Sequence, residues 1–374
     1  MPPPRRTTVA IVESPGAPFT FAEVNVDGPR PDEVLVRIVA TGLCHTDLSV
    51  RDTLPAEMFP RVFGHEGAGV VEEVGDEVAG INVGDHVVLS FRACRSCGGC
   101  TTLGPGYCDN TVVLNYLGFR EDGSTTYTRD GAPVHGSFFG QSSFARHVIA
   151  TPDNVVVVDP QHDLTRIGPY GCAFQTGAGT VLDVLAPGAS DSLVVYGVGA
   201  VGIAALAAAR TAGVGTVVAV DLQPERLAVA AAYGATPLDP AALGDSSLVD
   251  RVKELTGGGA SHAIDTTGVA SVIKQAAQSL RPRGQLVVLG LGAEEFSLDA
   301  VDVMMNGKVV RGSVEGDSDP QEMIPRLLGM AAAGDFAVDS VVTTYPFESI
   351  NLAVEDVTAG RVVKPVLVWP DDAD

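Results

Sequence analysis

The feature that most constrains this chain is a run of four cysteines, Cys94-x2-Cys97-x2-Cys100-x7-Cys108. Thiolate sulfur at about 2.3 Å suits a closed tetrahedral zinc site, and four cysteines at this spacing fill one such shell. The chain has six cysteines, so only Cys44 and Cys172 remain. With His65 of Gly64-His65-Glu66 they make a Cys2His set. Three protein ligands with one open position are the arrangement of a catalytic zinc. No thiol is left over, and two separate ligand sets are hard to explain as purely structural cysteines.

At 374 residues the chain exceeds one small core, and its length favours two domains. No apolar run reaches the roughly 20 residues of a membrane span. The opening Met1-Pro2-Pro3-Pro4-Arg5-Arg6 has no apolar stretch behind it and does not read as a secretory signal. Cysteines used as thiolate ligands fit a reducing compartment, so a cytoplasmic location is expected. A net charge of −22 argues against nucleic acid as partner, since a phosphate-tracking surface needs clustered Lys and Arg.

Short alternating runs such as Val34-Leu35-Val36-Arg37-Ile38-Val39-Ala40, with turns like Gly28-Pro29-Arg30-Pro31-Asp32, predict a β-rich first part. Residues 70–75, 84–89 and 153–158 continue it. The stretch from 109 to 144, rich in glycine, threonine and aromatics, reads as loop and substrate wall. The pattern changes near Tyr170. Strands at Ser192-Tyr196, Thr216-Val220, Ala263-Asp265 and Leu286-Leu289 alternate with helices at Thr176-Val184, Ala200-Ala212, Pro224-Tyr233, Ser247-Thr256 and Val269-Leu280. Such alternation implies a parallel sheet covered on both faces.

Gly197-Val198-Gly199-Ala200-Val201-Gly202 directly follows the first of these strands and opens a helix, the context a dinucleotide fingerprint requires. Gly197 permits the tight turn, Gly199 lets the backbone approach the pyrophosphate, and Gly202 lets helix and strand pack closely. The helix N-terminus adds unpaired N–H donors. Asp221 ends the next strand, 24 residues beyond Gly197. An ionised carboxylate there accepts from the ribose hydroxyls and repels a 2′-phosphate, which favours NAD over NADP.

The order Cys44-His45-Thr46-Asp47, Gly64-His65-Glu66, the four clustered cysteines and then the fingerprint resembles the zinc-dependent medium-chain alcohol dehydrogenases. Phe138-Phe139-Gly140-Gln141-Ser142-Ser143-Phe144-Ala145 and Gly171-Cys172-Ala173-Phe174-Gln175-Thr176-Gly177 look most like their aryl-alcohol (benzyl-alcohol) branch. The resemblance implies an α/β fold: a GroES-like β-rich catalytic domain, residues 1–171 and 315–374, with a Rossmann doubly wound parallel-sheet domain at 172–314. The helix at Pro320-Ala333 and the strand at Pro365-Trp369 would return to the first domain. It also implies two zinc ions per chain, NAD, an alcohol or aldehyde substrate, and a homodimer or homotetramer.

Within the site, Thr46 is expected to hydrogen-bond the alcohol oxygen and pass its proton towards the cofactor ribose. Asp47 is expected to orient the His65 imidazole, with a helix N-cap as its other reading. By resemblance Glu66 is a carboxylate near the metal, and His45 and Lys364 offer cationic contacts to the pyrophosphate. Some relatives carry a histidine where this chain has Ser49, so the proton relay here ends in ribose and water. Ser90, Phe91, Tyr116, Phe119, Phe138 and Phe139 fall in stretches that line the cleft of relatives, and aromatic walls suit flat apolar alcohols. Two other functions share parts of this pattern. A thiol-adduct formaldehyde dehydrogenase has both zinc motifs. A non-catalytic zinc- and nucleotide-binding protein would lack Cys44, His65, Cys172 or Thr46, and all four are present.

Overall fold

The strands of this chain form three sheets, in a computed structural model that describes residues 3–370. Contacts divide the chain into two compact units: Met1–Cys172 with Asp319–Arg326 and Asp339–Asp374, and Ala173–Ser318 with Leu327–Val338. The sequence expectation had a single return, at residue 315. The first unit resumes at Asp319, leaves again after Arg326 inside the helix Pro320–Ala332, and resumes a second time at Asp339.

The first unit is built on two sheets. One runs, in spatial order, Arg61–Val62, Arg5–Val12, Thr20–Val26, Tyr127–Arg129 and Ala132–Val134, antiparallel throughout. The other has Val34–Gly42 at its centre, flanked by Gly67–Val74 and by the C-terminal strand Lys364–Val368. Its β-branched residues other than Val39 are buried because the strand is covered along nearly its whole length. Register then decides what meets: Thr41 lies opposite Gly67, and Gly42 opposite Val366. Segments 42–44, 65–67 and 364–366, far apart in the chain, therefore converge. The backbone N–H of Gly42 donates to the Glu66 carbonyl and that of Leu43 to the Pro365 carbonyl, both at 3.0 Å.

The second unit contains six parallel strands. In spatial order they are Thr236–Leu238, Thr216–Val220, Ser192–Tyr196, Ala260–Asp265, Leu280–Val288 and Val309–Gly312. Numbered by chain order this is 3-2-1-4-5-6, the doubly wound arrangement, with its switch point between Ser192–Tyr196 and Ala260–Asp265. Every residue of those two central strands is buried, the mark of a parallel sheet covered on both faces. The expected strand–helix alternation is present.

Some elements differ from expectation. Residues 109–144 hold a short helix, Thr111–Asn115, and a hairpin whose turn is Asp130-Gly131, both at positive φ. Asp-Gly is the favoured dipeptide for such a two-residue turn, so a signal was present within the polar stretch. The strands Thr236–Leu238 and Val309–Gly312 were not expected; they are three and four residues long, too short for a periodicity to show. The helix expected at 176–184 begins at Ala173 and widens into π-type turns over Thr180–Leu185. Among the described residues no helix is long and apolar enough to cross a membrane.

Candidate active site

Cys94, Cys97, Cys100 and Cys108 hold their sulfurs within 4.8 Å of one another. The Cys97–Cys108 separation is 3.9 Å and the Cys94–Cys108 separation 3.6 Å. A disulfide needs about 2.05 Å, whereas a tetrahedron with metal–sulfur bonds of about 2.3 Å has an edge of about 3.8 Å. The cage has the dimensions of a zinc shell, and none of the six cysteines is in a disulfide. Local backbone aims the sulfurs. Cys97 caps the helix Gly98–Thr102 and accepts from the N–H of Cys100 at 3.4 Å and of Asp109 at 3.3 Å. The Cys94 N–H donates to the Cys108 sulfur at 3.4 Å. Gly99 is required here, since a Cβ would stand 2.0 Å from the Tyr107 carbonyl oxygen.

A second cluster joins Cys44, His65, Glu66 and Cys172, again with ligand atoms within 4.8 Å of one another. His65 is fully buried; its Nδ1 lies 2.9 Å from Asp47 Oδ1, and its Nε2 has no hydrogen-bond partner. A buried, orphaned imidazole nitrogen is costly as a polar group but fits a metal ligand. Asp47 sits in the first turn of the helix His45–Thr53. Its Oδ2 accepts the Cys44 N–H at 3.0 Å and its Oδ1 also accepts the Gly64 N–H at 3.1 Å. One carboxylate thus caps the helix and holds both ligand-bearing segments. The Cys44 thiol is held well below its ordinary pKa, first by a hydrogen bond from Cys172 and then by the His65 charge. The Thr46 hydroxyl lies 3.7 Å from the Cys44 sulfur, and His45 is exposed on the same turn.

Glu66 is fully buried, and burial pushes its carboxyl up to about 7 against the pull of Lys364. The Lys364 ammonium, expected at the cofactor pyrophosphate, is placed differently. It is 2% exposed, 2.5 Å from Glu66 Oε2 and 3.2 Å from the Leu43 carbonyl. The register of the C-terminal strand against Val34–Gly42 carries it beneath the metal cluster, where its charge balances Glu66.

The chain matches two family models: "Alcohol dehydrogenase GroES-like domain" over residues 30–160 and "Zinc-binding dehydrogenase" over residues 200–332. It is 42% identical over 364 residues to a geraniol dehydrogenase of Castellaniella defragrans, covering 96% of this chain and 97% of the relative. This chain belongs to the zinc-dependent medium-chain alcohol dehydrogenases. The crystal structure of benzyl alcohol dehydrogenase from Acinetobacter calcoaceticus superposes with a TM-score of 0.93 at 36% identity, over 98% of this chain and 100% of that one. An S-(hydroxymethyl)glutathione dehydrogenase of Escherichia coli O1:K1 / APEC is 29% identical over 368 residues, 97% of this chain and 99% of the relative.

As an NAD-dependent zinc alcohol dehydrogenase the chain needs a dinucleotide site, and its fingerprint stands at the switch point of the parallel sheet. Gly197 has φ of +90°, which favours glycine, and a Cβ on Gly202 would meet the Gly197 carbonyl oxygen at 2.0 Å. Gly199 caps the twelve-residue helix Ala200–Thr211, and a Cβ there would meet nothing within 4 Å, leaving the approach to the backbone open. Asp221 is held against this loop: Oδ2 accepts the Val198 N–H at 2.7 Å and Oδ1 the Gln223 N–H at 2.9 Å.

Gln141 had no expected role, and Ser90 was expected in the substrate wall. Gln141 is 1% exposed; its Oε1 accepts the Gly67 N–H at 3.0 Å, and its Nε2 donates to the carbonyls of His65 at 2.9 Å and Ser90 at 3.1 Å. The Ser90 hydroxyl is buried and donates to the Gly171 carbonyl at 2.6 Å. These contacts brace the residues beside His65 and Cys172. The signal was the polar run Gln141-Ser142-Ser143 between Phe-Phe-Gly and Phe-Ala, where only internal partners could satisfy it.

Replacing Asp47 with asparagine keeps its shape but turns one acceptor into a donor facing an N–H. Zinc retention during dialysis against a chelator, or kcat/KM, is expected to fall about 10- to 100-fold. Unchanged retention and activity would mean that Asp47 does not orient the ligands.

Proposed function

We propose that this enzyme oxidises primary aromatic and allylic alcohols with NAD, and reduces the corresponding aldehydes, using two zinc ions per chain. The observation that carries the substrate class is an aromatic box around His65. The Phe139 ring stacks on the imidazole at 4.6 Å with an interplanar angle of 28°, and the Phe138 ring meets it edge-on at 5.6 Å. Tyr116 packs edge-on against both, at 5.3 Å from Phe139 and 6.1 Å from Phe138. Flat conjugated substrates gain from such walls, and small saturated ones leave them unfilled. The geraniol and benzyl alcohol dehydrogenases named above favour the same class.

Zinc, when bound, supplies a Lewis acid that polarises the alcohol oxygen. The chain's own residues do the rest. Thr46 offers a hydroxyl beside Cys44 to take the alcohol proton on its way to ribose and water, since Ser49 carries no imidazole. Asp47 fixes the His65 tautomer, and Lys364 offsets the buried charge of Glu66. Gly197, Gly199 and Gly202 admit the pyrophosphate, Asp221 takes the ribose hydroxyls, and exposed His45 remains the cationic contact for the phosphates.

The same reading includes a homodimer or homotetramer in the cytoplasm. Val309–Gly312 is an edge strand of the parallel sheet, and Val301, Met304 and Met305 nearby are 63%, 70% and 73% exposed. An uncovered edge beside exposed apolar side chains favours pairing with a second copy. Six cysteines outside any disulfide favour a reducing compartment.

The test is NADH formation with benzyl, cinnamyl, geranyl, ethyl and polyol alcohols, each with NAD and NADP, on protein of measured zinc content. Turnover of the aromatic and allylic alcohols with NAD, at two zincs per chain, is expected. Turnover confined to formaldehyde with glutathione would replace this reading with a thiol-adduct one.

A further inference from the structure

Arg61 leads the fully buried side chains in size, four residues before His65 in the strand Arg61–Val62. Nothing in the reaction requires a charge there. Burial pulls the guanidinium down to about 10, still charged at neutral pH, with no neighbouring charge to oppose that pull. Its Nε and Nη1 have no hydrogen-bond partner. An apolar side chain of similar volume would avoid this desolvation, so the arginine is a poor choice for stability alone.

Its contacts point instead to the substrate wall. Nη2 donates to the Tyr116 carbonyl at 2.5 Å. The guanidinium carbon stands 5.5 Å from the Phe138 ring centroid and 5.5 Å from that of Phe63. Phe63 in turn meets Phe138 edge-on at 5.2 Å. Behind the guanidinium the packing is closed: a Cβ on Gly118 would lie 3.0 Å from Nη1 and 3.1 Å from the Gly136 carbonyl oxygen. The guanidinium thus touches the Phe138 ring, which lies edge-on to His65, and the backbone of Tyr116, whose ring packs edge-on against Phe138 and Phe139.

We propose that Arg61 is a specificity-determining positioning residue: its guanidinium fixes the Phe138 ring and the Tyr116 segment, and with them the pose of the aromatic wall that a flat conjugated alcohol meets beside His65. This rests on the aromatic and allylic reading above. A guanidinium suits the task because one planar group can lie over rings and donate in its own plane at the same time.

The experiment compares zinc-loaded wild type with R61M and R61K, reading kcat/KM for benzyl alcohol over that for 1-propanol, together with zinc content and Tm. In R61M the ratio is expected to fall about tenfold, the scale of one misfitted contact in an apolar pocket. The loss appears in KM for benzyl alcohol, with kcat within about twofold, as for an interaction that contributes equally to ground and transition states. R61K recovers part of the ratio, since an ammonium keeps the ring contact and loses the fork. Equal losses for both alcohols, or an unchanged ratio in folded variants, overturn the proposal. Should R61M not fold, a double-mutant cycle of R61K with F138L decides: the two must be non-additive on the ratio, and additive effects overturn the proposal. A wild type that prefers 1-propanol would end the aromatic reading. The Arg61 proposal is then still decided by whether R61M moves the ratio.

Discussion

Cys44→Ser is expected to lower kcat/KM for any alcohol by about 10³-fold or more, because a metal site supplies several kcal/mol of charge stabilisation and each 1.4 kcal/mol is a decade in rate. The change is close to isosteric, so the consequence is read in chemistry and not in folding. Cys44 ends the Val34–Gly42 strand region and precedes the helix His45–Thr53, both of which keep their own hydrogen bonds. The Asp47 contacts to the Cys44 N–H, the Gly64 N–H and His65 use no atom of the Cys44 side chain. Zinc analysis should find about one ion fewer per chain, with Tm within a few degrees of wild type. Full activity in C44S would show that the Cys44 sulfur is not a ligand of the reacting centre.

Cys100→Ser should do the opposite. The loop from 94 to 108 has only the five-residue helix Gly98–Thr102 and the three-residue turn Pro105–Tyr107. Helices of that length do not persist alone. Its large apolar residue Leu103 is 66% exposed, so little hydrophobic burial holds it. Besides the Arg95 ion pair with Asp319 and the buried Cys108, the sulfur cage holds the loop, and in structural sites the binding free energy of the metal is folding free energy. Loss of the ion should cost about 4 kcal/mol or more and lower Tm by about 10 °C. Thermal melts, a zinc count and limited proteolysis between residues 95 and 107 read the effect. An unchanged Tm and zinc content would remove the cage from the stability account. The pair of variants separates a centre that reacts from one that holds.

Much of the site was legible because its residues carry chemistry in short, dense motifs. Cys94 to Cys108 lie within fifteen residues, and no other role suits four thiols so spaced in a chain without a disulfide. The fingerprint was legible for a related reason: Gly197 and Gly202 answer local demands, a left-handed turn and a close backbone approach, which only glycine meets. The roles of Lys364, Gln141 and Arg61 were not legible. Lysine and arginine are mostly surface residues, and nothing local marks the ones that are buried. Each of these three is defined by a partner far away in sequence: Lys364 by Glu66, Gln141 by Gly67 and Ser90, Arg61 by Tyr116.

The sequence alone therefore determined the donor inventory, the alternation that makes a parallel sheet, and the order of motifs that marks the family. These depend on residue type and on spacings of a few residues, where chain geometry leaves little freedom. The tertiary structure decided which buried charge stands beside which. Strand register sets that, because sliding a strand by one residue turns each side chain to the opposite face. Lys364 reaches Glu66 only because Val366 pairs with Gly42 and Thr41 with Gly67, pairings fixed by the packing of the whole sheet.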